Sequence, residues 1–278
     1  MQHTARMLAT LAGCAGLLSP APLLAGAWGQ EPNGMFLSLQ STFYSTDHYF
    51  DAQGSRRDRG GTFTKYELNP YLEYGLTARD TLTANLFYHW LEDDAAGRLE
   101  KNHGAADQEF GWKRQLLKQN GSVLAIHALV IVPAGYDEAG ENPRLGYNRY
   151  GGEANLLYGH SSTVWGKNAM LDLRLGYRDY FGYPASQVRS NATIGYDIAE
   201  RWQVLLGAEL LYGLNNGTAH ELAPSVLAET DYRLLKLSLA LRYHLSDHYS
   251  LVAGGYAHAW GENTGSGGGG NVSLWHSF

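Results

Sequence analysis

From about residue 35 onward, apolar and polar side chains alternate in segments of roughly ten residues, and polar turns separate the segments. Between Leu235 and Leu245 the pattern is cleanest. Leu235, Leu237, Leu239, Leu241, Tyr243 and Leu245 share one face, while Lys236, Ser238, Ala240, Arg242 and His244 share the other. A period of two is that of a β-strand, and about ten tilted residues suffice to cross the hydrocarbon of a membrane. The pattern predicts strands over 35–45, 63–76, 81–91, 105–116, 122–133, 148–158, 169–180, 187–198, 202–214, 226–245, 249–260 and 270–278. Twelve is even, which brings both ends of the chain to the same side. The stretch 219–233 is the least regular and is read here as one piece with the strand that follows it.

Alternation by itself fits a soluble sandwich, apolar side inward, as well as a membrane barrel, apolar side outward. Two further features favour the barrel. Tight turns (Thr77-Ala78-Arg79-Asp80, Ala199-Glu200-Arg201, Ser246-Asp247-His248) take turns with longer polar connections, at about Thr46 to Thr62, Glu92 to Gly104, Ala134 to Tyr147 and Glu262 to Gly270. Outer-membrane barrels have such unequal rims. Aromatics also gather near strand ends (Tyr44, Tyr74, Trp90, Trp112, Tyr158, Tyr177, Tyr196, Trp202, Tyr212, Tyr243, Tyr249), as interfacial girdles do. No later stretch reaches the ~18 consecutive apolar residues of a spanning helix, so a membrane chain of this kind has to close on itself. The expected fold class is all-β: a transmembrane antiparallel up-and-down β-barrel of about 12 strands, with short periplasmic turns and longer extracellular loops.

Composition sharpens this. Of the 278 residues only 17% are charged, against about 25% in soluble globular proteins, while Tyr (19) and Gly (34) are abundant and Pro (8) is scarce. The net charge of −6, with no basic arm, excludes nucleic acid as a partner. At the N-terminus, Arg6 ends a short polar start, Met7 to Leu24 is mostly apolar, and Ala25-Gly26-Ala27 has the small-x-small form that signal peptidase cuts. The expected division is therefore a signal peptide over 1–27 and an outer-membrane barrel over 28–278. A competing reading takes Leu11-Ala12-Gly13-Cys14 as a lipobox. Cleavage at Ala27 leaves a mature chain without cysteine, which excludes thiol chemistry. At the other end, Val272, Leu274, His276 and Phe278 alternate up to a terminal phenylalanine, the form of the sorting signal read by the outer-membrane assembly machinery.

With the leucines turned to lipid, the other face carries Lys65, Glu67, Glu73, Asp107, Glu109, Lys113, Arg149, Glu153, Asp172, Arg174, Arg178, Arg189, Asp197, Glu209, Lys236 and Arg242. The signs nearly balance. Such a lining suits a constriction that selects small solutes, or equally a lattice of ion pairs that keeps the wall round. Asp172, Arg174 and Arg178 form the densest inward group and are the first choice of pore-lining residues, with Arg189, Glu209 and Arg242 as neighbours from later strands.

Other chemistry is weakly marked. Arg189-Ser190-Asn191-Ala192 has the serine and asparagine of lipid-modifying barrels, but two positions before Ser190 stands Val188, not the histidine such a nucleophile requires. Asp93-Asp94 and His103 are too loosely spaced for a protease. The eleven histidines show no metal-ligand spacing, and His89, His127, His244 and His258 read as wall residues; no metal or cofactor is expected. Gly265 to Gly270, broken only by Ser266, lacks a phosphate-binding lysine and reads as a flexible surface loop.

Two stretches carry a family resemblance. Gly261-Glu262-Asn263-Thr264-Gly265-Ser266-Gly267, leading into Val272 to Phe278, resembles the end of the MetA-pathway phenol-degradation family of outer-membrane proteins. Tyr71-Leu72-Glu73-Tyr74-Gly75-Leu76-Thr77, followed by Leu82 to Leu86, is similar to that family's first periplasmic hairpin. The resemblance covers about a tenth of the chain directly. It implies a barrel associated with uptake of hydrophobic or aromatic compounds, and it brings no catalytic or binding residues with it. The expectation is thus a passive channel for a small-molecule solute, sitting among outer-membrane lipids and lipopolysaccharide. The alternatives are a closed structural or adhesive barrel whose loops, Arg56 to Arg59 above all, bind an external partner, and a lipid-modifying enzyme.

Overall fold

A strand pairs its backbone sideways, and in hydrocarbon no strand edge can be left open, so the ladder must run full circle. The computed structural model describes residues 26–95, 97–135, 143–217 and 231–278. In it, β1 (Met35–Phe50) pairs on one side with β2 (Arg56–Gly75) and on the other with the last strand. Between them run β3 (Asp80–Asn85 and Tyr88–Ala95), β4 (Arg98–Ala105 and Gln108–Gln119), β5 (Ser122–Val132), β6 (Gly151–Val164) and β7 (Lys167–Asp179). They are followed by β8 (Gln187–Ala199), β9 (Trp202–Gly213), β10 (Arg233–His244), β11 (Tyr249–Glu262) and β12 (Gly268–Ser277). Every neighbouring pair is antiparallel. The chain is a closed all-β barrel of twelve up-and-down strands, as the alternation predicts. No helix among the described residues is long and apolar enough to cross a membrane. The start of the tenth strand at 226 and most of the stretch 219–233 lie outside the described residues, as do Cys14 and residues 1–25 of the expected signal peptide.

Which face is which follows from exposure. Leu239 is 55% exposed and its neighbour in sequence but one, Leu237, 47%, whereas Arg242 on the opposite parity is 4% exposed. Leucines cover the outside and ionic groups are withdrawn. Leu239 sits mid-strand, opposite Leu206 of β9. Leu239→Arg is therefore expected to destabilise the barrel by about 2–4 kcal/mol, as charge near the bilayer midplane does, read from urea unfolding in lipid vesicles; a change under about 0.5 kcal/mol, the range of ordinary surface substitutions, would mean that this face does not meet hydrocarbon.

Three of the four expected long loops are corrected. Around Thr46 to Thr62 and Glu92 to Gly104 the ladder continues: Phe50 pairs with Arg56, and Ala95 with Arg98. Glu262 to Gly270 likewise holds a short pairing, Tyr49 with Gly265 and Phe50 with Thr264, before β12 begins at Gly268. Strands that project beyond the membrane carry polar side chains on both faces, so composition suggested loop where hydrogen bonding continues. In the turn between β1 and β2, the hydrogen bond from Arg57, helped by the Ser55 amide, holds the Asp51 carboxyl below the usual carboxylate range. The connections at 133–150 and 214–232 are long, each only partly described.

The glycine-rich stretch is corrected too: Gly268, Gly269 and Gly270 form the upper part of β12, wedged between β1 and β11. Gly269 lies directly between Tyr44 and Tyr256 in register. The two rings lie 6.4 Å apart and nearly parallel at 6°. A Cβ on Gly269 would come within 1.8 Å of the Phe43 carbonyl oxygen, so no larger residue fits. This arrangement also takes Tyr44 out of the expected outer girdle: it points inward and is buried.

The wall has one local irregularity. Asn85 of β3 faces Glu109 of β4, but Tyr88 faces Ala105, so β4 carries one extra residue at Ala106–Asp107. On the other flank of β3 stands Pro70, which has no N–H to give and accepts from the Leu86 amide at 2.9 Å. The Gln108 side chain replaces the lost ladder. Its oxygen accepts from the Phe87 amide at 3.0 Å, and its nitrogen donates to the carbonyls of Phe87 (2.9 Å) and Ala106 (2.7 Å). Backbone groups that hydrocarbon would leave unpaired are thereby satisfied.

Candidate functional site: the barrel lumen

Inward-facing side chains of twelve strands cannot all reach water, and charged ones withdrawn from it need partners. The strands bring opposite charges together across neighbouring positions. Along one half of the wall, a chain of alternating sign links six strands. Glu109 of β4 accepts from Arg178 of β7 at 2.5 Å, Arg178 also bonds Glu153 of β6, and Glu153 lies 3.5 Å from Arg189 of β8. Arg189 lies 3.6 Å from Glu209 of β9, which accepts from Lys236 of β10 at 2.5 Å. On the far side Lys65 donates to Glu67 at 2.9 Å, and His89 contacts the same carboxylate. Lower down, the fully buried Glu73 accepts from Lys113 at 2.7 Å and from the Tyr71 hydroxyl at 2.6 Å.

The interior is not ionic throughout, which the sequence reading did not foresee. A belt of buried apolar side chains, Phe36, Tyr71, Met170, Leu205, Val252 and Trp275, runs round the inside from β7 by way of β9, β11, β12 and β1 to β2. Phe36 meets Trp275 and Tyr71 edge-on, with ring centroids 5.9 and 6.4 Å apart. The sequence does hold a signal for inward apolar residues. In β5 both parities are apolar, with Val123, Ala125, Leu129 and Ile131 buried while Ile126 and Val130 are exposed.

The segment before β1 enters the barrel. Gly26 accepts from Lys113 at 2.9 Å, and the Ala27 amide donates to Asp172 at 3.1 Å. Gln30 donates through its amide to Thr81 (3.0 Å) and through its side chain to Glu73 (2.8 Å). Trp28 packs against a cluster of Ala27, Val123, Ala125 and Leu157. Its ring occupies the space over Gly159, where a Cβ would come within 2.4 Å of it. The segment thus touches strands from β2 to β7 at the end of the barrel where β1 starts and β12 finishes.

Above it the lumen opens into a cavity of about 560 Å³. Asp172, Arg174, Arg189 and Glu209 border it, as do Lys65, Glu67 and Lys236, and Tyr44, Tyr256 and Trp275 add aromatic surface. Arg178 lies instead beside a second hollow of about 250 Å³, under the long loop after β5, with Phe87, Leu145, Tyr147, Tyr180 and Tyr183. Tyr147 packs on Tyr180 and Tyr183 at 5.1 and 6.0 Å, and its amide donates to Asp107 at 2.8 Å. Arg242 borders neither space. Its guanidinium stands 4.9 Å over the Trp275 ring and donates to Ser250 at 3.0 Å. Ser190 is on the lipid-facing parity, opposite Leu175 and Leu210. No group of three potential metal ligands occurs among the described residues.

No protein-family model matches the chain, and no curated protein does. Among solved structures, it is similar to the COG4313 outer membrane channel of Pseudomonas putida F1, with a TM-score of 0.72 at 15% identity over 92% of this chain and 100% of the other. It is also similar to the NanC porin, with a TM-score of 0.52 at 7% identity over 87% of this chain and 100% of that one. This is the kind of fold that the resemblance to the phenol-degradation family implies: the chain shares its closed barrel architecture with these structures.

Proposed function

We propose that this protein is a passive outer-membrane channel for small solutes, with a preference for those carrying apolar or aromatic bodies. The cavity of about 560 Å³ in the lumen supports this reading most directly, because its size is that of small-molecule sites and its wall mixes aromatic rings with a few fixed charges. The fold shared with a channel and a porin adds to it, and so does the family resemblance of the first hairpin and the last strand. The chain would reach the membrane by way of the assembly machinery, which would read the strand ending in Phe278, and would then sit among lipids and lipopolysaccharide.

One observation favours a second reading, a closed structural barrel: after cleavage at Ala27, Trp28 still packs inside the lumen and Gln30 still holds Thr81 and Glu73 through two hydrogen bonds. Liposome swelling with a series of sugars, amino acids and small aromatics separates the two. Uptake of small aromatics ahead of sugars of similar mass is expected. Absence of swelling for every solute, together with silence in planar bilayers at high protein load, would favour the closed barrel.

A further inference from the structure

We propose that the lumen cavity contains a carboxylate-binding site centred on Arg174, and that the solutes it takes are small monoanions with an apolar body, aromatic carboxylates being the class that fits. The proposal rests on the lumen being accessible to solutes and deepens that reading.

The first observation is a cation without an ion pair. Three of the four cations that border the cavity have a carboxylate: Lys65 has Glu67, Lys236 has Glu209, and Arg189 lies between Glu153 and Glu209. Arg174 makes no ion pair among the described residues, and its buried Nε has no hydrogen-bond partner. Three acids, Glu67, Asp172 and Glu209, stand on the cavity wall and Glu153 stands behind it, and none of the four makes an ion pair with Arg174. The charges of Glu153, Asp172 and Glu209 act on Arg174 from beyond ion-pair distance, and a planar carboxylate brought to the guanidinium would add two parallel hydrogen bonds that none of them makes.

The second observation is what surrounds it. In the β7–β8 register Arg174 stands opposite Asn191, and Arg189 lies two residues further along β8 on the same face. An anion there meets two cations and an amide. Elsewhere the cavity is bordered by Tyr44, Tyr256, Trp275, Val252 and Leu205, which offer rings and aliphatic surface to the rest of the molecule. A neutral alcohol would meet the apolar wall and leave the guanidinium unpaired. An amine at this spot would meet the two guanidinium groups of Arg174 and Arg189.

The test uses the full-length protein purified in detergent and three ligands of one shape: benzoate, benzyl alcohol and benzylamine, titrated calorimetrically. Benzoate is expected to bind at least about tenfold more tightly than benzyl alcohol, a difference of about 1.4 kcal/mol, and benzylamine most weakly. Arg174→Gln is expected to abolish the benzoate advantage while leaving benzyl alcohol unchanged, and Arg174→Lys to restore part of it. Equal affinity of the wild-type protein for benzoate and benzyl alcohol would overturn the proposal without recourse to any variant. So would a benzoate advantage that survives Arg174→Gln. A preparation that binds benzoate through Arg174 yet stays silent in bilayers would support the site while counting against transport. One that conducts but shows no benzoate advantage would sink the site alone.

Discussion

Deleting residues 28–33 from the processed chain is expected to raise single-channel conductance several-fold. Trp28, Gly29 and Gln30 lie in the lumen at the end opposite the long loops, with Gly29 and Gln30 against Thr81 and Gln30 against Glu73. Without them, Glu73, Lys113 and Asp172 would line a water-filled passage continuous with the cavity above. The measurement is planar-bilayer recording of wild-type and shortened protein at equal salt, with strand content checked by circular dichroism. Unchanged conductance in a folded, shortened barrel would show that the segment does not limit the path and that the apolar belt does.

Glu153→Gln is expected to cost about 3–5 kcal/mol, the range found when one partner of a buried ion pair is removed. The Glu153 side chain is completely withdrawn from solvent and stands between Arg178 and Arg189. Replacing it leaves the guanidinium groups of Arg178 on β7 and Arg189 on the adjacent β8 with only Glu109 and Glu209 at the far ends. Urea unfolding in detergent would read the loss. Glu109→Gln, whose carboxyl has one guanidinium partner rather than two, should cost less. If both variants unfold with the wild type, the ionic chain is not what keeps this half of the wall in place.

The wall could be read from the sequence because membrane strands impose strict alternation. Leu237, Leu239 and Leu241 had to face one way and Lys236 and Arg242 the other once hydrocarbon lay outside, and the count of twelve followed. The ends of the strands could not be read this way. At Arg56, Arg57, Glu92 and Lys101 the ladder continues into water, where both faces are polar and the period vanishes while the hydrogen bonds persist. The interior was half legible. Charges such as Glu153 and Arg178 announce themselves against an apolar pattern, but Met170, Leu205 and Val252 look like lipid-facing residues until the register is known. The entry of Trp28 was hidden for a different reason. It depends on the gap at Gly159, a contact between positions far apart in sequence that no local pattern encodes.

The junction of β1 and β12 is where a linear polypeptide becomes a ring. For three successive residues the closing strand has no side chains, so the seam cannot recognise its own alignment there. The stacked pair Tyr44 and Tyr256 does so from either side. A one-step slip would put a backbone without Cβ atoms beside the wrong neighbours and bring Val272 and Leu274 indoors. Correct circularisation is therefore marked by rings that belong to the two strands flanking the closing one, where its own backbone presents no side chain to obstruct them.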